Sequence, residues 1–146
     1  MYSFCWTYEH TLDEKGRLAI PADIRHVLRD EDRRIFVVSR GIDNCLFVFP
    51  KTAWDERLKQ KTSGFLTKKE LYARKQALSS WSRACVMDSQ NRIKIPDELL
   101  KYAGLERELI IAGVEDRLEL WDKAKYETHQ SELEFDPDEI IEETLL

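Results

Sequence analysis

Leu12-Asp-Glu-Lys-Gly-Arg-Leu-Ala-Ile-Pro21 and, 75 positions later, Met87-Asp-Ser-Gln-Asn-Arg-Ile-Lys-Ile-Pro96 follow one pattern: an apolar residue, Asp, three turn formers, Arg, an apolar alternation, then Ile-Pro. The chain is an internal duplication, and a repeat constrains the architecture before any single element does. A second correspondence, Leu46-Phe-Val-Phe49 with Leu118-Glu-Leu-Trp121, is offset by 72. Copy one therefore carries about three extra residues, expected between Arg40 and Cys45, where Gly41-Ile-Asp-Asn44 gathers turn formers.

Three residues between Asp13 and Arg17 suit a hairpin loop whose last residue takes positive φ, and that slot holds Gly16. Copy two has Asn91 there, the next most tolerant residue for that conformation. Asp13 and Arg17, like Asp88 and Arg92, are expected to face each other across the turn. Such a pair stabilises by at most about 1 kcal/mol, so on mechanics alone Asp-x-x-x-Arg is as compatible with pinning a register as with binding a ligand.

The chain has 146 residues, of which 42% are hydrophobic, enough for one core shared by two copies of some fifty residues each. The sequence shows no apolar run of membrane-spanning length and no leader-like start, so a cytoplasmic protein with no membrane partner is expected. Cys5, Cys45 and Cys85 are odd in number and far apart, with no metal-ligand spacing. They read as packing residues, and no metal or cofactor is expected.

The net charge of −5 is unevenly distributed. Residues 132–146 hold seven acids and no base, whereas residues 51–85 hold nine bases and three acids. The acidic tail reads as mobile or as a solvated face, leaving the rest free to present a cationic surface. Electrostatics thus permit a nucleic-acid partner.

Periodicity predicts a strand near Trp6 to Leu12, a partner strand through Ile20, a short helix from Pro21 to Leu28, strands at Ile35–Val38 and Leu46–Phe49, and a helix containing Trp54 and Leu58. Copy two repeats the order, with a helix Asp97–Ala103 ended by Gly104, strands Leu109–Ala112 and Leu118–Trp121, and a helix from Asp122 to Leu133. Between the copies, Thr67 three residues before Glu70 is a capping box that opens a basic amphipathic helix. The fold class is α+β, mainly β, organised as repeat 1 over 7–54, a basic helical linker over 55–82, repeat 2 over 83–126, and a C-terminal helix with acidic tail over 127–146.

The run Asp13-Glu-x-Gly-Arg-x-x-Ile-Pro-x-x-Ile-Arg25-x-x-Leu28 resembles the swapped-hairpin DNA-binding motif of the AbrB transition-state regulators. Two tandem copies, with Tyr8-Glu-His-Thr-Leu12 before the first and Ala103-Gly-Leu-Glu-Arg-Glu-Leu109 after the second, resemble the MraZ family over nearly the whole chain. The resemblance implies two interleaved halves forming one pseudo-twofold swapped-hairpin β-barrel with flanking helices. It also implies a ring homo-oligomer that binds short direct repeats in double-stranded DNA upstream of the division and cell-wall genes, associated with the nucleoid. By position, Arg17 and Arg25 match motif arginines tied to DNA contact, Arg92 is the copy-two counterpart of Arg17, and Lys15 sits on the turn. Asp13, Gly16, Asp88 and Asn91 are the turn residues. Copy two has Gln90 for Lys15 and Leu100 for Arg25, so copy one is expected to dominate DNA contact. The family commonly has Phe-x-Gly near its start, where this chain has Phe4-Cys-Trp6.

The alternative is an oligomeric scaffold or protein-interaction module whose acidic tail engages a basic partner. Catalysis is not expected. No nucleophile triad or phosphate-cradling loop is present, and each candidate carboxylate, Asp13 and Asp88, has an arginine four residues on that favours a structural, ionised acid.

Overall fold

The computed structural model describes residues 1–61, 64 and 67–146. Copy one contributes β1 (Thr7–Thr11), β2 (Arg17–Ala19), α1 (Ala22–Val27), β3 (Ile35–Arg40), β4 (Leu46–Pro50) and α2 (Lys51–Lys61). After α3 (Lys68–Ser80), copy two runs β5 (Ser82–Val86), β6 (Arg92–Lys94), α4 (Asp97–Ala103), β7 (Glu108–Val114), β8 (Arg117–Asp122) and α5 (Lys123–Glu132), with α6 (Pro137–Leu145) at the end. The class is α+β with strands predominant. Register corrects where the extra residues of copy one lie: Val38 pairs with Val48 as Ile111 pairs with Leu120, so the offset is already 73 in β3, which puts two of the three extra residues between α1 and β3 and one between β3 and β4.

The strands pair across the duplication. A six-stranded antiparallel sheet has the order β1-β7-β8-β4-β3-β5, and a two-stranded antiparallel ribbon joins β2 to β6. Exchanging the copies turns the sheet order into its own reverse, so the pairing carries a pseudo-twofold relation. This corrects one expectation: β2 is not the partner of β1. The Asp13–Arg17 turn closes with a 3.1 Å bond from Asp13 N to Arg17 O. Its two arms then diverge, β1 to β7 and β2 to β6. The implied closed barrel also differs from what hydrogen bonding builds among the described residues, which is an open sheet plus a ribbon.

Side-chain alternation explains why the pairing forms one core. Leu18, Ile20, Ile93 and Ile95 on the ribbon pack with Phe36, Val38, Leu46, Val48, Leu109, Ile111, Leu118 and Leu120 of the sheet in a single buried cluster. Ile24 of α1 and Leu99 of α4 join it from equivalent places in the two copies. A smaller cluster holds Cys45, Ile110 and Trp121, with Phe47 and Tyr126 packed against it.

Local signals are realised where the backbone demands them. Gly16 and Asn91 have φ of 74° and 61°, and Gly104 ends α4 at φ 63°. The capping box of α3 is complete, with Glu70 N donating to Thr67 Oγ1 at 3.1 Å and Thr67 N to Glu70 Oε2 at 3.4 Å. Trp6, at the place where the resemblance calls for glycine, has φ 78° and is 76% exposed. A bulky side chain there is strained and offsets little of that strain by packing. Cys45 and Cys85 are buried, but Cys5 is exposed, which corrects its reading as a packing residue. The acidic tail forms α6, exposed along its length. Among the described residues no helix is long and apolar enough to cross a membrane.

Asp32, in the short turn before β3, is fully buried. It accepts hydrogen bonds from Tyr2 Oη at 2.6 Å, Thr52 Oγ1 at 2.6 Å and Thr52 N at 3.0 Å, which ties the N-terminal segment to the start of α2. Burial pushes its carboxyl upward, but these donors with the nearby Arg29 outweigh burial and hold it below the ordinary value. Asp32→Ala leaves three donors without their acceptor and is expected to destabilise the fold by about 3 kcal/mol, read as a lower urea midpoint.

Candidate nucleic-acid interface

The ribbon sets the geometry of the candidate site. In its register Arg17 lies opposite Lys94, Leu18 opposite Ile93 and Ala19 opposite Arg92. Leu18 and Ile93 point into the core, so the alternate positions Arg17, Ala19, Arg92 and Lys94 share the outer face. Antiparallel pairing of the two copies thus brings both Asp-x-x-x-Arg turns to one region of the surface. Ile95 N donates to Gly16 O at 3.0 Å, and Ile20 N donates to Asn91 O at 3.0 Å, binding each turn to the other copy.

Within each turn the aspartate organises the backbone and then the arginine. Asp13 Oδ1 accepts from Lys15 N and Arg17 N, both at 2.9 Å, while Oδ2 takes Arg17 Nε at 2.6 Å. Asp88 repeats this, with Oδ1 accepting from Gln90 N at 2.8 Å and Arg92 N at 3.0 Å, and Oδ2 taking Arg92 Nε at 3.0 Å. Arg92 Nη1 also lies 3.6 Å from Asp13 Oδ2, an ion pair that crosses the duplication. Fixing a guanidinium through Nε orients its terminal nitrogens, the fork that matches a phosphate or a guanine edge.

Asp13 titrates at about 2, held down first by the Arg17 backbone N–H, then against a smaller opposing effect of burial by the Arg17 side chain and the Lys15 N–H. The Asp88 carboxyl is lowered in the same way, led by the Arg92 backbone N–H. Both are therefore ionised at neutral pH and cannot act as general acids. Their bonds to Nε fix the orientation of Arg17 and Arg92.

The candidate residues are not gathered copy by copy. Lys15 is exposed at the tip of the first turn, and Arg17 and Arg92 are half-buried. Arg25, on α1, donates Nε to Ile20 O at 3.1 Å, and Ile20 N in turn donates to Asn91 O of the copy-two turn. Sequence reasoning missed three cations. Lys94 lies on the outer face of the ribbon, signalled by the alternation Arg92-x-Lys94. Arg107 and Arg34 precede β7 and β3, and their carbonyls accept from Leu12 N at 2.8 Å and Met87 N at 2.6 Å, so each flanks the turn of the other copy. Arg107, Glu106, Asp13, Glu14, Arg17 and Arg92 line an open cleft of about 520 Å³. His10 lies on β1 with its ring edge-on to Tyr8, and burial lowers its pKa.

The family described as "MraZ protein, putative antitoxin-like" matches residues 4–74 and 82–146. The chain belongs to the MraZ family. A Transcriptional regulator MraZ of Natranaerobius thermophilus is 36% identical over 143 residues, covering 96% of this chain and 95% of the relative. The Moorella thermoacetica Transcriptional regulator MraZ is 37% identical over 126 residues, 86% of this chain and 85% of the relative. That of Desulforamulus reducens is 34% identical over 139 residues, 95% of each. The two MraZ matches take in both duplicated turns, and the coverage spans nearly the full length of these relatives.

The depressed carboxyls of this MraZ chain give a signed pH dependence. Folding holds both acids below their unfolded values, so their contribution is present above the unfolded carboxylate range and is lost as pH falls through their folded values, which for Asp13 is about 2. Asp13→Asn is expected to flatten the loss of stability across that interval, and an NMR titration of the wild-type carboxyl should show a midpoint near 2.

Proposed function

We propose that the protein binds double-stranded DNA sequence-specifically through the paired Asp-Arg turns and thereby regulates transcription, with Lys15, Arg17, Arg25 and Arg92 on the contact surface. The observation that carries this reading is the ribbon register, which aligns the arginines of both turns on one outer face while a carboxylate fixes each through Nε. Arginine held in this way suits bidentate donation to phosphate or guanine, and Lys15 on a turn tip suits phosphate. The relatives' name, Transcriptional regulator MraZ, agrees with it.

The finer reading follows the resemblance. Repeat 1 over 7–54 and repeat 2 over 83–126 act as the two halves of a swapped-hairpin, barrel-like unit, with the linker over 55–82 and the tail over 127–146 outside it. Copies of the chain assemble as a ring on short direct repeats upstream of division and cell-wall genes, on the nucleoid in the cytoplasm. Support comes from the cross-copy pairing of every ribbon and outer-strand contact.

Arg17→Ala is expected to weaken binding to the chain's own upstream duplex roughly ten- to a hundredfold in fluorescence anisotropy, with oligomeric state and melting behaviour unchanged. Unchanged affinity would refute the assignment of Arg17. The salt dependence should be steep, because phosphate neutralisation releases counterions.

A scaffold role is favoured by one observation: Ile140, Ile141 and Leu145 of α6 are exposed beside Asp138, Glu139, Glu142 and Glu143. If the tail competes with DNA for the cationic face, removing residues 134–146 tightens binding at low salt. An unchanged affinity with altered self-association would instead assign α6 to protein contact.

A further inference from the structure

The pseudo-twofold relation pairs residues that differ chemically. Leu100 corresponds to Arg25, Gln90 to Lys15, and Asn91 to Gly16, each at an offset of 75. Leu100 Cδ1 lies 3.0 Å from where a Cβ on Gly16 would sit, so the helix of copy two abuts the turn of copy one. The mirror contact runs through Ile20, whose N–H donates to Asn91 O at 3.0 Å while its carbonyl accepts Arg25 Nε at 3.1 Å. The helix of copy one therefore abuts the turn of copy two.

The charges of the two surfaces are complementary in this arrangement. The first turn has a cation at its tip, Lys15, and an apolar helix neighbour, Leu100. The second has a neutral tip, Gln90, and a cationic helix neighbour, Arg25. Beyond each turn's own arginine and the flanking Arg107 or Arg34, the distinguishing cation is supplied from the tip in one case and from the other copy's helix in the other. The single Nε bond of Arg25 to a carbonyl leaves its terminal nitrogens for a ligand and holds the fork in place.

We propose that Arg25 contacts DNA together with Asp88–Arg92 of copy two, not with Asp13–Arg17 of its own copy, so that the two contact surfaces are chemically distinct and read different base pairs. This rests on the DNA-binding reading above. Copy two is then not the weaker half that its own residues suggest, because its missing cation comes from α1.

The test uses the full chain in low-salt anisotropy titrations against its own upstream duplex, a scrambled duplex and a set with single base pairs replaced. The variants are Arg17→Ala, Arg25→Ala, Arg92→Ala, and the doubles of Arg25→Ala with each of the others. Arg25→Ala and Arg92→Ala should each weaken binding about tenfold, relax discrimination at the same base pairs, and together cost less than the product of their separate factors. Arg25→Ala with Arg17→Ala should multiply and act at separate base pairs. Arg25→Lys keeps the charge without the planar fork, so it should retain the salt slope while losing discrimination, an outcome that misfolding would not produce. Shared positions and non-multiplicative effects for Arg25 with Arg17, or an Arg25→Ala variant that binds like wild type, would overturn the composite surface. Wild-type binding that fails to distinguish native from scrambled duplex would overturn the DNA-reading function itself.

Discussion

The pairing of β2 with β6 is the constraint on which the rest of the structure depends. It is only three residues on each side, yet Leu18 and Ile93 lie opposite each other with no solvent exposure, and Ile20 and Ile95 extend the same apolar row. Burying a residue of this size stabilises by about 1.5–3 kcal/mol, so the ribbon is a substantial clamp between the copies. A slip of one residue would turn Arg17 and Arg92 into the core and Leu18 and Ile93 into water. The same register that closes the core therefore displays the arginines, and stability and site geometry are one requirement.

Electrostatics then refine what packing has placed. Asp13 receives Arg17 at 2.6 Å and Arg92 at 3.6 Å, one carboxylate holding guanidiniums from both copies. A half-exposed ion pair of this kind adds little to stability in water. Its effect is orientational, because it removes rotamers from two long side chains before any ligand arrives. Seven acids and no base fall within residues 132–146, so the net negative charge of the chain does not measure the charge at the ribbon.

Much of the fold was legible in the residues, because the decisive signals are local. Gly16 and Asn91 announce positive φ, Thr67 and Glu70 announce a helix start, and Gly104 announces a helix end, whereas the shift of offset from 75 to 72 gives the number of extra residues but not their place, since two of the three fall before β3. Partner choice was not legible by residue mechanics. The alternation in Leu18-Ala-Ile20 says which side faces inward and is silent on whether β1 or β6 lies alongside. Lys94, Arg34 and Arg107 were missed for the same reason, since they join the turns only through contacts between copies. Arg25 was recognised as a motif residue, but the Ile20 peptide to which it bonds is itself tied to Asn91 of the other copy, a link that no local pattern encodes. Cys5 and Trp6 show the converse: their types suggest burial, while a backbone bend leaves both in solvent.

The palindromic strand order has a kinetic consequence. β1 finds its partner β7 about a hundred residues downstream, and β3 must wait for β5 to cover its second edge. Helices α1 and α4 can form as soon as their residues emerge, but the sheet is dominated by distant pairings, a topology that folds slowly. During synthesis the first half of the chain carries unpaired strand edges until the second half arrives, and in that interval β3 and β4 present hydrophobic edges to any similar strand nearby. Neighbouring nascent chains carry the same strands, so the arrangement that makes one molecule from two copies also opens a route to exchange between molecules.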